Sequence, residues 1–112
     1  NFRQDPQFGA ALVLGSGGVL VELLADSATL LLPTRPVEII RVLKSLRVGR
    51  LLEGFRGRPA ADIEQVATEI YKLSVTYQKN MKTIAEIEIN PLFVYQAEVS
   101  AIDVLIQVPN EK

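Results

Sequence analysis

The sequence predicts an α+β domain, with a largely antiparallel or mixed sheet carrying two main helices on one face. Three observations lead there. Short apolar runs closed by glycine, Ala-Asp-Ser or proline fill the stretch from Phe8 to Pro33. Two segments with helical spacing follow between Pro36 and Gln78, and two strand-like segments lie between Ile84 and Val108. The order β-β-β-α-α-β-β lacks the strict alternation of a parallel α/β fold; it favours antiparallel pairing of neighbouring strands, with the helices gathered on one side. At 112 residues the chain is bounded to one domain or part of one, and residues 1–112 read as a single domain.

Each element follows from local chemistry. Phe8 to Leu14 is an apolar run bounded by Gly15, Ser16, Gly17 and Gly18, too short for an ordinary helix and therefore a buried strand. Val19 to Leu24 and Ala28 to Leu32 are the second and third strands, ended by Ala25-Asp26-Ser27 and by Pro33. From Pro36, whose missing N–H suits a first helical turn, Val37, Ile40, Leu43 and Leu46 recur at three-residue spacing and predict a helix of about three turns. The glycine- and arginine-rich stretch from Arg47 to Pro59 reads as loop. A second helix is predicted from Ala61 to Gln78, with Ile63, Val66, Ala67, Ile70, Leu73 and Tyr77 as its apolar stripe and Asp62 favourably placed at the positive end of its dipole. Lys79 to Lys82 forms a basic turn, after which Ile84–Tyr95 and Val99–Val108 read as two strands joined around Gln96-Ala97.

Composition narrows the chemistry. Twelve Lys and Arg against thirteen Asp and Glu leave a net charge of −1, which argues against a nucleic-acid-binding surface. The absence of cysteine and histidine removes disulfides, thiolate and imidazole metal sites, thiol nucleophiles and the Ser-His triad. Any chemistry rests on carboxylates, amides, hydroxyls, Lys, Arg or the backbone. With 48% hydrophobic and 22% charged residues the chain is apolar enough to bury a core. That balance fits either a Leu/Val-rich interior or a surface covered by a further domain. No run approaches the ~18 apolar residues of a membrane span. No charged-then-apolar leader follows Asn1, so a cytoplasmic location is expected, and a start on Asn rather than Met is what a fragment would show.

The candidate site lies in the last two strands. Glu86, Glu88 and Asn90 share one parity and Ile87 and Ile89 the other, so the carboxylates and the amide lie on one face. A hairpin centred between Gln96 and Ala97 pairs Asn90 with Asp103, with Cβ atoms about 5 Å apart and Glu88 two positions along. Oxygen donors without nitrogen or sulfur suit Mg²⁺ or Mn²⁺. The same pattern also describes the solvated face of an amphipathic hairpin, and a slip of one residue would part Asn90 from Asp103. Gly15 to Gly18 either present N–H groups to a phosphate or form a tight turn, and lack the Gly-Lys-Ser/Thr of a P-loop. Glu22 faces a cleft or solvent, and Arg56 contacts phosphate, a neighbouring domain or only water.

Read together, Ala85-Glu86-Ile87-Glu88-Ile89-Asn90-Pro91-Leu92 and Ala101-Ile102-Asp103 resemble the E-I-N-P-L … D signature of ATP-grasp enzymes. More narrowly, the chain is similar to the ATP-grasp domain of ADP-forming acyl-CoA synthetases, including the succinyl-CoA synthetase β-subunit. Asp5-Pro6-Gln7-Phe8-Gly9, then Gly15 to Gly18 with Val21-Glu22-Leu23-Leu24, then Leu51 to Gly57 with Pro59 and Asp62, follow that family in order. The resemblance covers almost the whole chain, but only the C-terminal subdomain of an ATP-grasp domain.

The resemblance implies a nucleotide- and magnesium-binding half of a ligase that joins an acid and CoA at the expense of ATP, giving ADP and phosphate through a phosphohistidine. Asn90 and Asp103 match its Mg²⁺ positions, with Glu88 beside them. Gly17, Gly18, Glu22 and Arg56, on their own chemistry, are the candidate contacts for ATP or ADP, and Arg3 and Asp5, which match the family motif, either pair with each other or line the cleft. The partners implied are the N-terminal ATP-grasp subdomain and the CoA-binding and ligase domains, one of which carries the histidine; alone, the chain is expected to be inactive. Acid specificity belongs to those other domains. One departure stands out, since Val104 and Leu105 follow Asp103 where the family has Ala and then Arg or Lys. That departure favours a second reading, a non-catalytic regulatory or interaction module. A third is a nucleotide-sensing domain of a protein acylation enzyme.

Overall fold

Strand β1 (Phe2–Asp5) is an element the periodicity does not reveal. Its four residues are of mixed polarity, and pairing on both sides makes them a strand. In this computed structural model, which describes residues 1–15, 26–47, 49–52, 62–89, 92–95, 98–101 and 103–109, β1 runs antiparallel to β2 (Gly9–Gly15), with Phe2 opposite Leu12 and Asp5 opposite Gly9. The turn between them is held by the Asp5 carboxylate, which accepts from the N–H groups of Gln7 (2.8 Å) and Phe8 (3.0 Å). These bonds hold its carboxyl below the usual carboxylate range. Gly9 leaves the turn at φ 84°, where a side chain would be strained. Phe8, expected in the strand, is instead a turn residue and 64% exposed. Strand β3 (Ser27–Leu31) pairs antiparallel with β2; the strand expected over Val19–Leu24 lies outside the described residues.

Helix α1 (Pro36–Ser45) starts at Pro36 as expected, but its buried face is Ile39, Val42 and Leu43, continued by Leu46. Val37 is 59% exposed and Ile40 only half-buried. The reason is geometric: a strict three-residue repeat drifts around a 3.6-residue helix, whereas 39, 42, 43 and 46 stay on one side. A short helix, α2 (Gly49–Leu52), occupies part of the stretch expected to be loop. Gly49 permits it, because a Cβ there would come within 2.5 Å of the Leu43 carbonyl oxygen. Helix α3 (Ile63–Lys79) matches the expected second helix, and its Asp62 side chain accepts from the Gln65 N–H at 3.0 Å. It buries Val66, Ala67, Ile70, Ser74 and Tyr77.

The last part of the chain keeps the expected hairpin register but not the expected pair of strands. Strands β4 (Glu86–Ile89) and β7 (Val104–Gln107) pair from Glu86 opposite Gln107 to Ile89 opposite Val104. Strands β5 (Leu92–Tyr95) and β6 (Glu98–Ala101) continue the same register, from Leu92 opposite Ala101 to Tyr95 opposite Glu98, as a separate two-stranded sheet. The main sheet has the order β3-β2-β1-β4-β7, every neighbouring pair antiparallel. Phe2, Leu12 and Ile87 from the sheet join Ile39 and Leu43 from α1 and Val66, Ala67, Ile70 and Tyr77 from α3 in one core. Both long helices therefore cover one face, as the predicted α+β class requires.

Candidate metal site on the open sheet face

Alternation along paired strands decides what the other face carries. Phe2 stands opposite Ile87, and both point into the helix-covered core. Their neighbours Arg3, Glu86 and Glu88 therefore lie on the opposite face, which no helix among the described residues covers, as does Leu105, the cross-strand partner of Glu88. Glu86 and Glu88 are half-buried and Arg3 is exposed. The Asn1 side-chain amide donates to the Glu86 carboxylate at 2.7 Å, a contact between opposite ends of the chain that nothing in the sequence announces. Arg3 does not pair with Asp5, which is engaged in its own turn.

Strand β4 pairs along its length with β7 but meets β1 through the residue pair Phe2–Ile87, and further contacts gather at its start. The Ala85 N–H donates to the Gln107 carbonyl at 2.8 Å. From the helix side, the Tyr77 hydroxyl donates to the Ala85 carbonyl at 2.8 Å. Tyr77 is fully buried, with its ring centroid 5.7 Å from that of Phe2. Burial, reinforced by the nearby Glu86 charge, pushes its hydroxyl above the ordinary tyrosine value, so it remains a donor. The sequence marked Tyr77 only as part of a core stripe.

Of the seven residues expected at the site, two lie among the described residues. Glu88 sits on β4 at the open face, and Asp103 is exposed immediately before β7. Asn90, Gly17, Gly18, Glu22 and Arg56 lie outside the described residues. Among the described residues no group of three or more carboxylates gathers as a cage. A sparse, all-oxygen donor set fits Mg²⁺, which commonly takes one or two protein carboxylates and completes its octahedron with water and phosphate. No helix among the described residues is long and apolar enough to cross a membrane.

This arrangement, a five-stranded antiparallel sheet with two long helices on one face, matches the fold of ATP-grasp proteins. The chain belongs to the ATP-grasp domain family, whose profile matches residues 1–108. It is 33% identical over 100 residues to subunit beta of the ADP-forming acetate–CoA ligase I of Pyrococcus furiosus, covering 89% of this chain and 43% of that subunit. It is 40% identical over 96 residues to the ADP-forming acetate–CoA ligase of Methanocaldococcus jannaschii, covering 83% of this chain and 13% of that enzyme. Among solved structures it superposes on the dinucleotide-forming acetyl-coenzyme A synthetase 1 of Ca. Korarchaeum cryptofilum, in complex with coenzyme A and Mg-AMPPCP. The TM-score is 0.86 at 31% identity, covering 96% of this chain and 50% of that chain. The chain thus spans half or less of the length of these relatives.

Proposed function

We propose that this chain is the metal-holding half of the ATP-grasp domain of a cytoplasmic ADP-forming acid–CoA ligase, which converts an acid, CoA and ATP to acyl-CoA, ADP and phosphate through a phosphohistidine. Asn90 and Asp103 hold Mg²⁺ (or Mn²⁺), Glu88 orients its water shell, and Gly17, Gly18, Glu22 and Arg56 contact the nucleotide. The ion, when bound, neutralises phosphate charge, which is the main demand of phosphoryl transfer. The N-terminal ATP-grasp subdomain and the CoA-binding and ligase domains complete the cleft and supply the histidine that this chain lacks. The observation that supports the reading is the hairpin register: the flanking pairs Ile89–Val104 and Leu92–Ala101 follow one alignment, the same alignment under which the sequence expects Asn90 opposite Asp103. Names of the relatives support the reaction class.

The test is an amide NMR titration of the chain with Mn²⁺, with and without ADP. Paramagnetic broadening confined to residues 86–90 and 99–105, and abolished by Asp103→Ala, is the expected result. Broadening centred on Glu64 and Glu69 of α3 instead would remove the hairpin from the site.

A second reading, a regulatory module without catalysis, draws on Leu105. This side chain is 52% exposed on the open face, paired with Glu88, where the family carries a cation. If that reading holds, wild type takes up no Mn-ADP and Leu105→Arg restores uptake, read by the same broadening.

A further inference from the structure

The geometry points to Tyr77 as a positioning residue for the metal-binding hairpin, acting through the Ala85 carbonyl to set where Glu88 stands on the open face. This inference rests on the metal reading above. Tyr77 touches neither face where the ion would lie: it is fully buried in the core, on α3. Its hydroxyl nonetheless bonds, at 2.8 Å, the backbone one residue before Glu86 and three before Glu88. On its β7 side β4 is held by the ladder from Glu86–Gln107 to Ile89–Val104 and by the Ala85–Gln107 hydrogen bond, but β7 is itself an edge strand; towards the rest of the sheet β4 has the pair Phe2–Ile87 and the Asn1–Glu86 side-chain bond. The ring of the same tyrosine packs against Phe2, the β1 half of that pair. One side chain thus touches both strands at the pair that joins them. Strand alternation makes the consequence steep, since a shift of one residue would carry Glu88 to the core side.

Tyr77→Phe tests this, because it keeps the ring and removes only the donor. Ser74→Ala is the control: Ser74 is also buried on α3, but its hydroxyl bonds the Tyr71 carbonyl within the helix at 2.7 Å and does not reach β4. Two readouts are taken on the full chain, well below both melting temperatures. In the metal-free protein, the amides of residues 85–89 are expected to exchange about fivefold faster in Tyr77→Phe, with β2 and β3 unchanged. With Mn²⁺, the affinity read by broadening at residues 86–90 is expected to fall about tenfold, the low end for lost outer-shell partners. Ser74→Ala should change neither. Unchanged exchange in Tyr77→Phe overturns the proposal, and so does faster exchange with unaltered Mn²⁺ affinity. If wild type shows no Asp103-dependent broadening, the metal reading fails and takes the positioning role with it. The exchange comparison, which needs no metal, then tells that failure from a failure of the Tyr77 contact.

Discussion

Asp5 shows how a residue that resembles a family motif can be explained by its own backbone. Its two hydrogen bonds close the β1–β2 turn and favour the ionised carboxyl. A carboxyl held below its unfolded value stabilises the fold above that value and loses the contribution as pH falls through the lower folded one. The expected outcome is that the melting temperature of wild type falls on acidification below about pH 4 more steeply than that of Asp5→Asn, checked by thermal melts from pH 6 to pH 2. Of the candidate site residues, Glu88 is the one whose face was most legible from sequence, because strand parity decides it without reference to the rest of the fold. The Asn1–Glu86 and Tyr77–Ala85 bonds were illegible for the complementary reason. They join residues 85 and 8 positions apart, across elements whose packing no local pattern states.

At the scale of elements, the α3 helix was read nearly to its ends because cap, dipole and stripe agree. Asp62→Ala is expected to cost about 1 kcal/mol, measured by urea denaturation, since it removes the acceptor for the Gln65 N–H. Disagreement between local signals accounts for what the reading missed. Helix α1 was assigned correctly as an element, but two of its expected face residues, Val37 and Ile40, were displaced by Ile39 and Val42 once the true helical period applied. Gly49 marked a loop by composition, whereas its missing Cβ is what lets α2 tuck against the end of α1. β1 gave no signal at all. Its strand character comes from its pairing with β2 and β4.

For the molecule as a whole, stability and site meet at Phe2. This side chain is 3% exposed, lies in the core, stacks on Tyr77 and forms the one pair that joins β1 to β4. Phe2→Ala is expected to cost about 3–5 kcal/mol, a large part of a typical domain's stability, and to shift the urea midpoint accordingly. The same seam has a consequence in time. Strands β1, β2 and β3 are complete at Leu31, yet the partner of Phe2 is Ile87. During synthesis the β1 edge therefore waits for residues 32–87 before that partner can reach it. The open face acquires its carboxylates only when that edge is closed, so a chain that ends prematurely is left sticky and without a site, a state that quality-control machinery is well placed to recognise.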